Sequence, residues 1–262
     1  MGTVAAIQFA PPARNANIVR AQPMLREVSR NGIHCSDCKQ QNMCLWRDLG
    51  AETMREIDRL VTTRTRCRKG ETLYRAGSPF AMLYAIRSGS CKTVMPGEDG
   101  RDQVAGYHMP GEIIGGDGIG NDSHQCHAIA LEDSEVCALS FDRLEQLARH
   151  HEPFQRNLHR LLSREIARQH SLLLVLGTMR ADQRLSEFLL DLSRRYDARG
   201  YSPSEFVLRM TREEIGSYLG LKLETVSRLL SRFQREGLIQ VQGRTVKLLD
   251  RAAMRELLAQ AF

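Results

Sequence analysis

Apolar residues between positions 60 and 140 occur in short runs that are separated by glycines. Three of these runs cover residues 70–74, 83–89 and 110–115. Short apolar runs with turn residues at regular intervals are typical of all-β domains. The pattern therefore predicts a small β-roll or β-barrel in this part of the chain.

Residues 141–179 have a different pattern, in which apolar positions return at steps close to 3.5 residues. One long helix is the simplest interpretation of this spacing. Its apolar stripe consists of Leu162, Ile166, Leu173 and Leu176. The polar Gln169 lies on the same face. Such a stripe either pairs with the stripe of a second copy, where an amide sets the register, or packs against its own domain.

A second helical region begins with a capping box, in which Glu214 follows Thr211 at a spacing of three residues. Gly220 then supplies a tight break before another helix that starts near Leu223. A β-hairpin pattern follows over residues 238–248. The order of these signals predicts two short helices joined by a glycine turn and followed by a wing.

The second of these helices has a polar face near its N-terminal end, because Val226, Leu229 and Leu230 face inward. The polar face carries Glu224, Ser227 and Arg228. In the major groove of DNA, arginine binds guanine, glutamate accepts from the cytosine amino group, and serine bonds a base or a phosphate. Charged residues at these spacings also occur on ordinary solvated helix faces. Together with the capping box, the turn and the hairpin, they favour a helix-turn-helix that reads DNA.

The composition of the 262-residue chain fits a DNA-binding protein with two domains. It has 37 Lys and Arg against 31 Asp and Glu, and the formal charge of +6 favours an anionic partner. The chain has no apolar run of membrane-spanning length and no secretory signal, so a cytoplasmic protein without membrane contact is expected. The odd number of cysteines, 7, indicates metal or redox chemistry rather than a disulfide framework.

Three of the cysteines, Cys35, Cys38 and Cys44, form a C-x2-C-x5-C pattern. Thiolates at this spacing bind iron–sulfur clusters or zinc. Three close ligands with a distant fourth favour an iron–sulfur cluster, because zinc usually takes two close pairs; cysteines without a ligand role are the third interpretation. The candidates for the fourth ligand, among which the spacing does not choose, are His34, Cys67, Cys91, Cys126 and Cys137.

The pair formed by Cys35 and Cys38 also has the C-x-x-C spacing of thiol oxidoreductases. The pair is not surrounded by a βαβ pattern, and the β-rich region lacks the close His-x-His arrangement of a metal-dependent enzyme. No catalytic residue and no enzymatic activity are therefore predicted.

Several segments together resemble the cyclic AMP receptor protein (CRP) superfamily, and within it the oxygen-sensing branch of the fumarate and nitrate reduction regulator (FNR). The resemblance extends over nearly the whole chain after the N-terminal tail. It is carried by the cysteine segment 34–44, by LYAIRSG at 83–89, by LSRR at 192–195, and by MTR, LGL and ETVSRLL within 210–230. It implies an α+β protein with an N-terminal β-roll of the cyclic-nucleotide-binding type, a long dimerisation helix and a C-terminal winged helix-turn-helix.

The implied organisation has five parts. They are a flexible tail over residues 1–30, a cluster loop over 31–50, a sensory β-roll over 51–145, a dimerisation helix over 146–180 and a DNA-binding domain over 181–262.

The resemblance also implies the site residues. The fourth ligand of a [4Fe-4S] cluster becomes Cys137, because the remote cysteine of the family follows an Ala-Leu-Glu segment like the one at 130–132. The residues that read a TTGAT half-site become Glu224, Ser227 and Arg228. Two half-sites, TTGAT-N4-ATCAA, imply a homodimer on double-stranded DNA.

The function that the resemblance implies is oxygen-responsive activation or repression of anaerobic gene expression. Contacts with RNA polymerase are expected from the loop ending at Gly100 and from residues 201–203. Cyclic AMP is not expected as a ligand, because residues 121–126 lack the arginine that holds its phosphate in the family's receptors. The alternatives are a regulator of this fold that senses another small molecule, or one that holds structural zinc.

Overall fold

The computed structural model describes residues 26–28, 35–97, 100 and 102–259. Within these residues the N-terminal part contains helix α1 (Ala51–Leu60) and nine strands: β1 (Arg26–Val28), β2 (Val61–Cys67), β3 (Thr72–Tyr74), β4 (Met82–Ser88), β5 (Cys91–Met95), β6 (Gln103–His108), β7 (Ile113–Ile114), β8 (His127–Ala130) and β9 (Ser134–Ser140). They form a five-stranded sheet in the order β1-β2-β9-β4-β7 and a four-stranded sheet in the order β3-β8-β5-β6. The predicted β-roll is confirmed.

Strand β1 lies in the segment that was expected to be a flexible tail. It pairs antiparallel with residues 64–66 of β2 and thereby covers the outer edge of that strand. The tail prediction is therefore wrong for residues 26–28, while residues 1–25 and 29–30 lie outside the described residues.

Strand β9 occupies the centre of the larger sheet and is covered on both faces. Cys137 and Leu139 face a core formed with the cysteine loop and the helices, whereas Val136 faces the core between the two sheets. Because side chains alternate along a strand, this register points the sulfur of Cys137 towards the loop.

The helical region after the roll is divided, contrary to the prediction of one helix from residue 141. Helix α2 (Phe141–His150) ends before His151, whose backbone is extended, and helix α3 (Glu152–Thr178) begins after it. Pro153 lies in the first turn of α3, where its missing N–H is tolerated and where it prevents α2 from continuing. The apolar stripe therefore lies on α3, which begins at Glu152 rather than near residue 146.

Helix α3 is buried at its start and open along its middle. Phe154 and Leu158 are buried in the core next to the cysteine loop, whereas Ile166 and Leu173 are 57% and 65% exposed. The remaining stripe residues, Leu162, Gln169 and Leu176, are half-buried. The described part of the chain thus leaves an apolar helix face available to a partner.

The C-terminal part forms the predicted winged helix-turn-helix. Its elements are α4 (Ala181–Asp197), β10 (Glu205–Val207), α5 (Arg212–Leu219), α6 (Leu223–Arg235), β11 (Ile239–Gln242), β12 (Thr245–Leu248) and α7 (Arg251–Ala259). The strands form a sheet in the order β10-β12-β11, in which β11 and β12 are the predicted hairpin.

This domain packs against the β5–β6 hairpin of the roll. Val104 and Tyr107 belong to the same apolar cluster as the buried residues of α4, α5 and α6. The ammonium nitrogen of Lys92 lies 2.6 Å from a carboxylate oxygen of Glu214 in α5. The roll and the winged domain therefore share an apolar and ionic interface.

A half-buried carboxylate, Glu112, adds a second ionic link. Its oxygens lie 2.9 Å from Arg195, 2.6 Å from Arg199 and 3.2 Å from Arg168. Burial raises the pKa of Glu112, but the three guanidinium groups outweigh it and hold the pKa at about 2. The charged carboxylate thus ties the roll to helix α3 and to the winged domain.

Candidate DNA interface and cysteine site

The two helices of the helix-turn-helix are fixed to each other by the turn between them. The Thr211 hydroxyl accepts from the Glu214 amide (3.1 Å), and the Glu214 carboxylate accepts from the Thr211 amide (2.6 Å), so the predicted capping box is present. Gly220 ends α5 with a left-handed backbone (φ 63°). A Cβ at Gly216 would lie 2.6 Å from the Leu221 carbonyl oxygen, so the chain turns closely over this helix.

Helix α6 separates its buried and polar residues as predicted. Val226, Leu230 and Phe233 are at most 3% exposed and pack in the domain core. On the other side Glu224 and Arg228 are exposed and Ser227 is half-buried. The three predicted base-reading residues thus lie together on the outer face of the helix, within its first two turns.

Contacts within this face orient two of the three side chains. The Arg228 guanidinium donates to the Glu224 carbonyl oxygen (3.4 Å), and the Arg212 guanidinium donates to the Ser227 hydroxyl (3.3 Å). The sequence did not single out Arg212, because only the crossing of α5 and α6 brings residues 212 and 227 together. The only feature of the sequence that could have indicated Arg212 is its position directly after the helix cap Thr211.

The cysteine loop begins with a 3₁₀ turn at Cys35–Asp37 and continues through a series of turns to residue 48. The Cys35 amide donates to the carboxylate of Asp58 in α1 (2.6 Å), and the Cys44 amide donates to the Gln40 carbonyl (2.9 Å). His34 lies outside the described residues. The loop is thus held by its own backbone and by α1.

The structure places Cys137 in the same buried cluster as Cys35 and Cys44. Burial raises the pKa of Cys35, and negative charge on Cys137, Cys44 and Cys38 raises it further. Burial also raises the pKa of Cys44 to about 12, with further contributions from Cys137 and Cys38. Burial likewise raises the pKa of Cys137, and charge on Cys38 contributes to the increase. All four sulfurs therefore lie within electrostatic reach of one another.

The other candidate ligands lie elsewhere. Cys67 and Cys91 are buried together in the core between the two sheets, and the pKa of Cys126 is raised by burial and by the charges of Asp117 and Glu165. In the described residues, no three His, Cys, Asp or Glu side chains are arranged to hold a single metal ion. By chemistry, four soft thiol donors with Cys137 opposite the loop fit an iron–sulfur cluster.

The end of the cysteine loop is bound to the start of α3. Trp46 stacks on Phe154 with ring centroids 5.9 Å apart. The Asn157 side-chain amide donates to the carbonyl oxygens of Leu45 (3.2 Å) and Arg47 (2.7 Å). Two residues after Cys44, the loop is therefore locked to the helix that carries the apolar stripe.

The stretch without the phosphate-binding arginine is engaged internally. The Asp117 carboxylate accepts from the amides of Gln125 (2.7 Å) and Cys126 (2.9 Å), and the His124 ring stacks on Tyr74 with centroids 3.8 Å apart. A carboxylate on these amides opposes an anionic phosphate at the same place.

Comparisons with known proteins agree with this architecture. Residues 64–151 match the cyclic nucleotide-binding domain, and residues 183–257 match the Crp-like helix-turn-helix domain. Among solved structures, FixK2 from Bradyrhizobium japonicum is similar, with a TM-score of 0.70 and 31% identity over 76% of this chain and 98% of that one. None of the helices in the described part of the chain is long and apolar enough to cross a bilayer.

Curated relatives resemble the chain over most of its length. The transcriptional regulatory protein btr of Bordetella pertussis is 46% identical, covering 89% of this chain and 96% of that protein. The transcriptional activator protein Anr of Pseudomonas protegens is 42% identical, covering 85% and 91%. The fumarate and nitrate reduction regulatory protein of Escherichia coli K12 is 38% identical, covering 89% and 94%.

Proposed function

Because this chain belongs to the CRP/FNR family of transcription regulators, we propose that it is the oxygen-responsive kind, in which a [4Fe-4S] cluster promotes homodimerisation and DNA binding. The chain is a DNA-binding regulator and not an enzyme, so the thiol-exchange interpretation of the C-x-x-C pair does not apply. Its cluster ligands are Cys35, Cys38, Cys44 and Cys137.

The observation that carries the proposal is the meeting of Cys137 with the cysteine loop. Strand β9 supplies one thiol from the rigid centre of the sheet, and the loop supplies three. Thiolates crowded in an apolar site repel one another unless iron neutralises them. When bound, the cluster supplies the oxygen-sensitive redox centre. The names of the FNR and Anr relatives point in the same direction.

The contacts between the loop and α3 provide the link to dimerisation. Trp46 and Asn157 join the loop to the start of the helix whose middle exposes Ile166 and Leu173. A ligand that binds only the dimer-competent arrangement shifts the population towards it. If a cluster held by the four thiolates orders the loop, it therefore favours pairing of the apolar stripe with the stripe of a second copy.

A dimer places two recognition helices on the two halves of TTGAT-N4-ATCAA. Glu224, Ser227 and Arg228 read each half-site, and a monomer reaches only one half. RNA polymerase contacts are proposed at Gly100 and at residues 201–203, where Tyr201 is 55% exposed. With these partners the protein acts in the cytoplasm, and cyclic AMP is not its ligand.

Metal analysis of anaerobically purified protein tests the proposal. We expect brown protein with about four iron and four sulfide per chain, dimeric in sedimentation, that becomes colourless and monomeric in air. Zinc in a colourless protein would instead support the structural-zinc alternative. Metal-free protein that dimerises equally well with and without air would favour sensing of another small molecule by the roll.

Substitution of Asn157 by alanine is expected to weaken the coupling between cluster and dimer. The change removes two hydrogen bonds to the loop carbonyls, worth about 1 kcal/mol each. We expect iron content to stay near wild type, while the gain in dimer affinity caused by the cluster falls about 30-fold or more. Sedimentation velocity with and without the cluster measures this gain.

Gln155→Ala is the matched control, because Gln155 lies on the same helix but is exposed. Fluorescence of Trp46, the only tryptophan of the chain, reports whether the loop stays docked. Equal coupling in Asn157→Ala and wild type would contradict the proposed route.

The substitution Gln169→Asp is expected to weaken dimerisation of the cluster-free protein. The Gln169 amide donates to the Glu165 carboxylate (2.8 Å), and a carboxylate here would face its own copy across the helix pair. We expect a monomer–dimer constant about fivefold weaker at low salt, with the difference shrinking at high salt. Gln169→Asn keeps the amide and serves as control. An unchanged constant for the aspartate variant would place the dimer contact elsewhere.

A further inference from the structure

Two arginines, Arg64 and Arg87, lie on the side of the sheet that carries Cys137, and we call this pair the cationic frame. In the sheet, the Cα partner of Cys137 is Arg64 on β2 and Ala85 on β4. Directly paired residues in a sheet project their side chains to the same face. The guanidinium of Arg64 therefore projects to the side of the sheet that faces the cysteine loop.

Arg87 approaches the same place from strand β4. Its guanidinium lies 2.7 Å from a carboxylate oxygen of Glu135, and both side chains are half-buried, at 28% and 15% exposed. Glu135 precedes Cys137 by two residues on β9 and so shares its face. This ion pair holds the Arg87 guanidinium on the face of the sheet that carries Cys137.

The charges of both arginines act on the thiols. Burial keeps the pKa of Cys137 above its ordinary value, although the charge of Arg64, a hydrogen bond from its side chain and the charge of Arg87 act against it. Burial lowers the pKa of Arg87, but the ion pair with Glu135 and, to a smaller extent, the charges of Cys38 and Cys137 outweigh it and raise the pKa. At Cys35, by contrast, burial and the neighbouring negative charges all raise the pKa. The cationic side of the site is therefore the side formed by the sheet.

We propose that Arg64 and Arg87 are positioning residues that compensate the negative charge of the ligated cluster. This inference rests on the proposed function, since it assigns these residues a role towards the proposed cofactor. A [4Fe-4S] core with four thiolates is an anion, and an anion in an apolar core needs nearby cations or hydrogen-bond donors. Arginine suits this role because it stays protonated at all physiological pH values.

The charge of the frame affects the stability of the cluster towards oxidation. Oxidation removes an electron and makes the cluster less negative, so nearby cations favour the reduced states. Loss of a guanidinium therefore lowers the reduction potential and eases oxidation in air. A change in packing would not explain a lower reduction potential, because a neutral side chain of similar size preserves the packing.

The test compares Arg64→Gln, Arg64→Lys and Arg87→Gln with wild type as anaerobically loaded proteins. We expect Arg64→Gln and Arg87→Gln to have a lower cluster potential in spectroelectrochemical titration and a half-life of visible absorbance in air about threefold shorter. Arg64→Lys restores the charge and is expected to return both quantities most of the way to wild type. Arg75→Gln removes an exposed arginine after β3 on the other sheet and serves as the charge-matched control.

The outcomes separate this inference from the proposed function. Wild type without iron and sulfide would reject the cluster itself. Wild type with a full cluster, together with glutamine variants of unchanged potential and half-life, would overturn the role of the arginines alone. Equal losses in Arg64→Lys and Arg64→Gln would also overturn it, since geometry rather than charge would then matter. If the glutamine variants load less iron, the reduction potential of the loaded fraction still tests whether the arginines compensate the charge of the cluster.

Discussion

Cys137→Ala protein purified without oxygen is expected to contain less than about a tenth of the wild-type iron and sulfide, and to remain monomeric. In the proposed ligand set, Cys137 is the one ligand supplied by the sheet, and it packs in the same buried cluster as the cysteine loop. Its removal would leave the proposed cluster without the bond that joins loop and roll. Iron and sulfide analysis together with sedimentation gives the result directly.

Cys126→Ala is the control for this experiment. Cys126 is also a buried cysteine of the roll, 9% exposed like Cys137, but its charged neighbours are Asp117 and Glu165. We expect this variant to keep a full cluster and to dimerise normally. A full complement of iron in Cys137→Ala would refute the proposed ligand set, and loss of iron in both variants would indicate a general effect on folding.

Much of the architecture was accessible from local patterns. The capping box at Thr211 and the glycine turn at Gly220 are encoded within a few residues, so the helix-turn-helix could be placed to the residue. The β-roll followed from short apolar runs between glycines. In both cases the signal lies in neighbouring residues, where backbone preference and side-chain pattern agree.

The errors arose where a continuing pattern hid a local break. One helix was predicted through residue 151, but Pro153 marks the start of a new helix and was the overlooked signal. Strand β1 was missed because its three residues form a strand only through pairing with β2. Local pattern contains no information on such a partner.

The contacts that carry the proposals were beyond sequence pattern for the same reason. Arg64 faces Cys137 through the register of β2 on β9, and Asn157 meets the loop through the docking of α3. Both pairs are separated by more than 70 residues. Without a register, an arginine in a strand and an asparagine on a helix are ordinary surface residues.

Arg228→Ala is expected to abolish the preference for the TTGAT half-site. One arginine–guanine contact contributes about 1–3 kcal/mol to discrimination, and a twofold dimer makes the contact twice. We therefore expect affinity for TTGAT-N4-ATCAA to fall by about a hundredfold or more. Fluorescence anisotropy with this duplex, and with a duplex in which the guanine of each half-site is replaced, measures both affinity and preference.

The preference for the intact half-sites distinguishes base reading from a general effect of positive charge. Absolute affinity alone does not make this distinction. Arg235 is an exposed arginine at the end of the same helix, and Arg235→Ala removes the same charge without changing the base-reading face. If Arg235 contacts a phosphate, its substitution removes that contact, which would weaken binding to both duplexes equally and reduce the salt dependence of binding. Arg228→Ala should instead bind the two duplexes with nearly the same affinity. If it still prefers the intact site as strongly as wild type, Arg228 does not read the guanine.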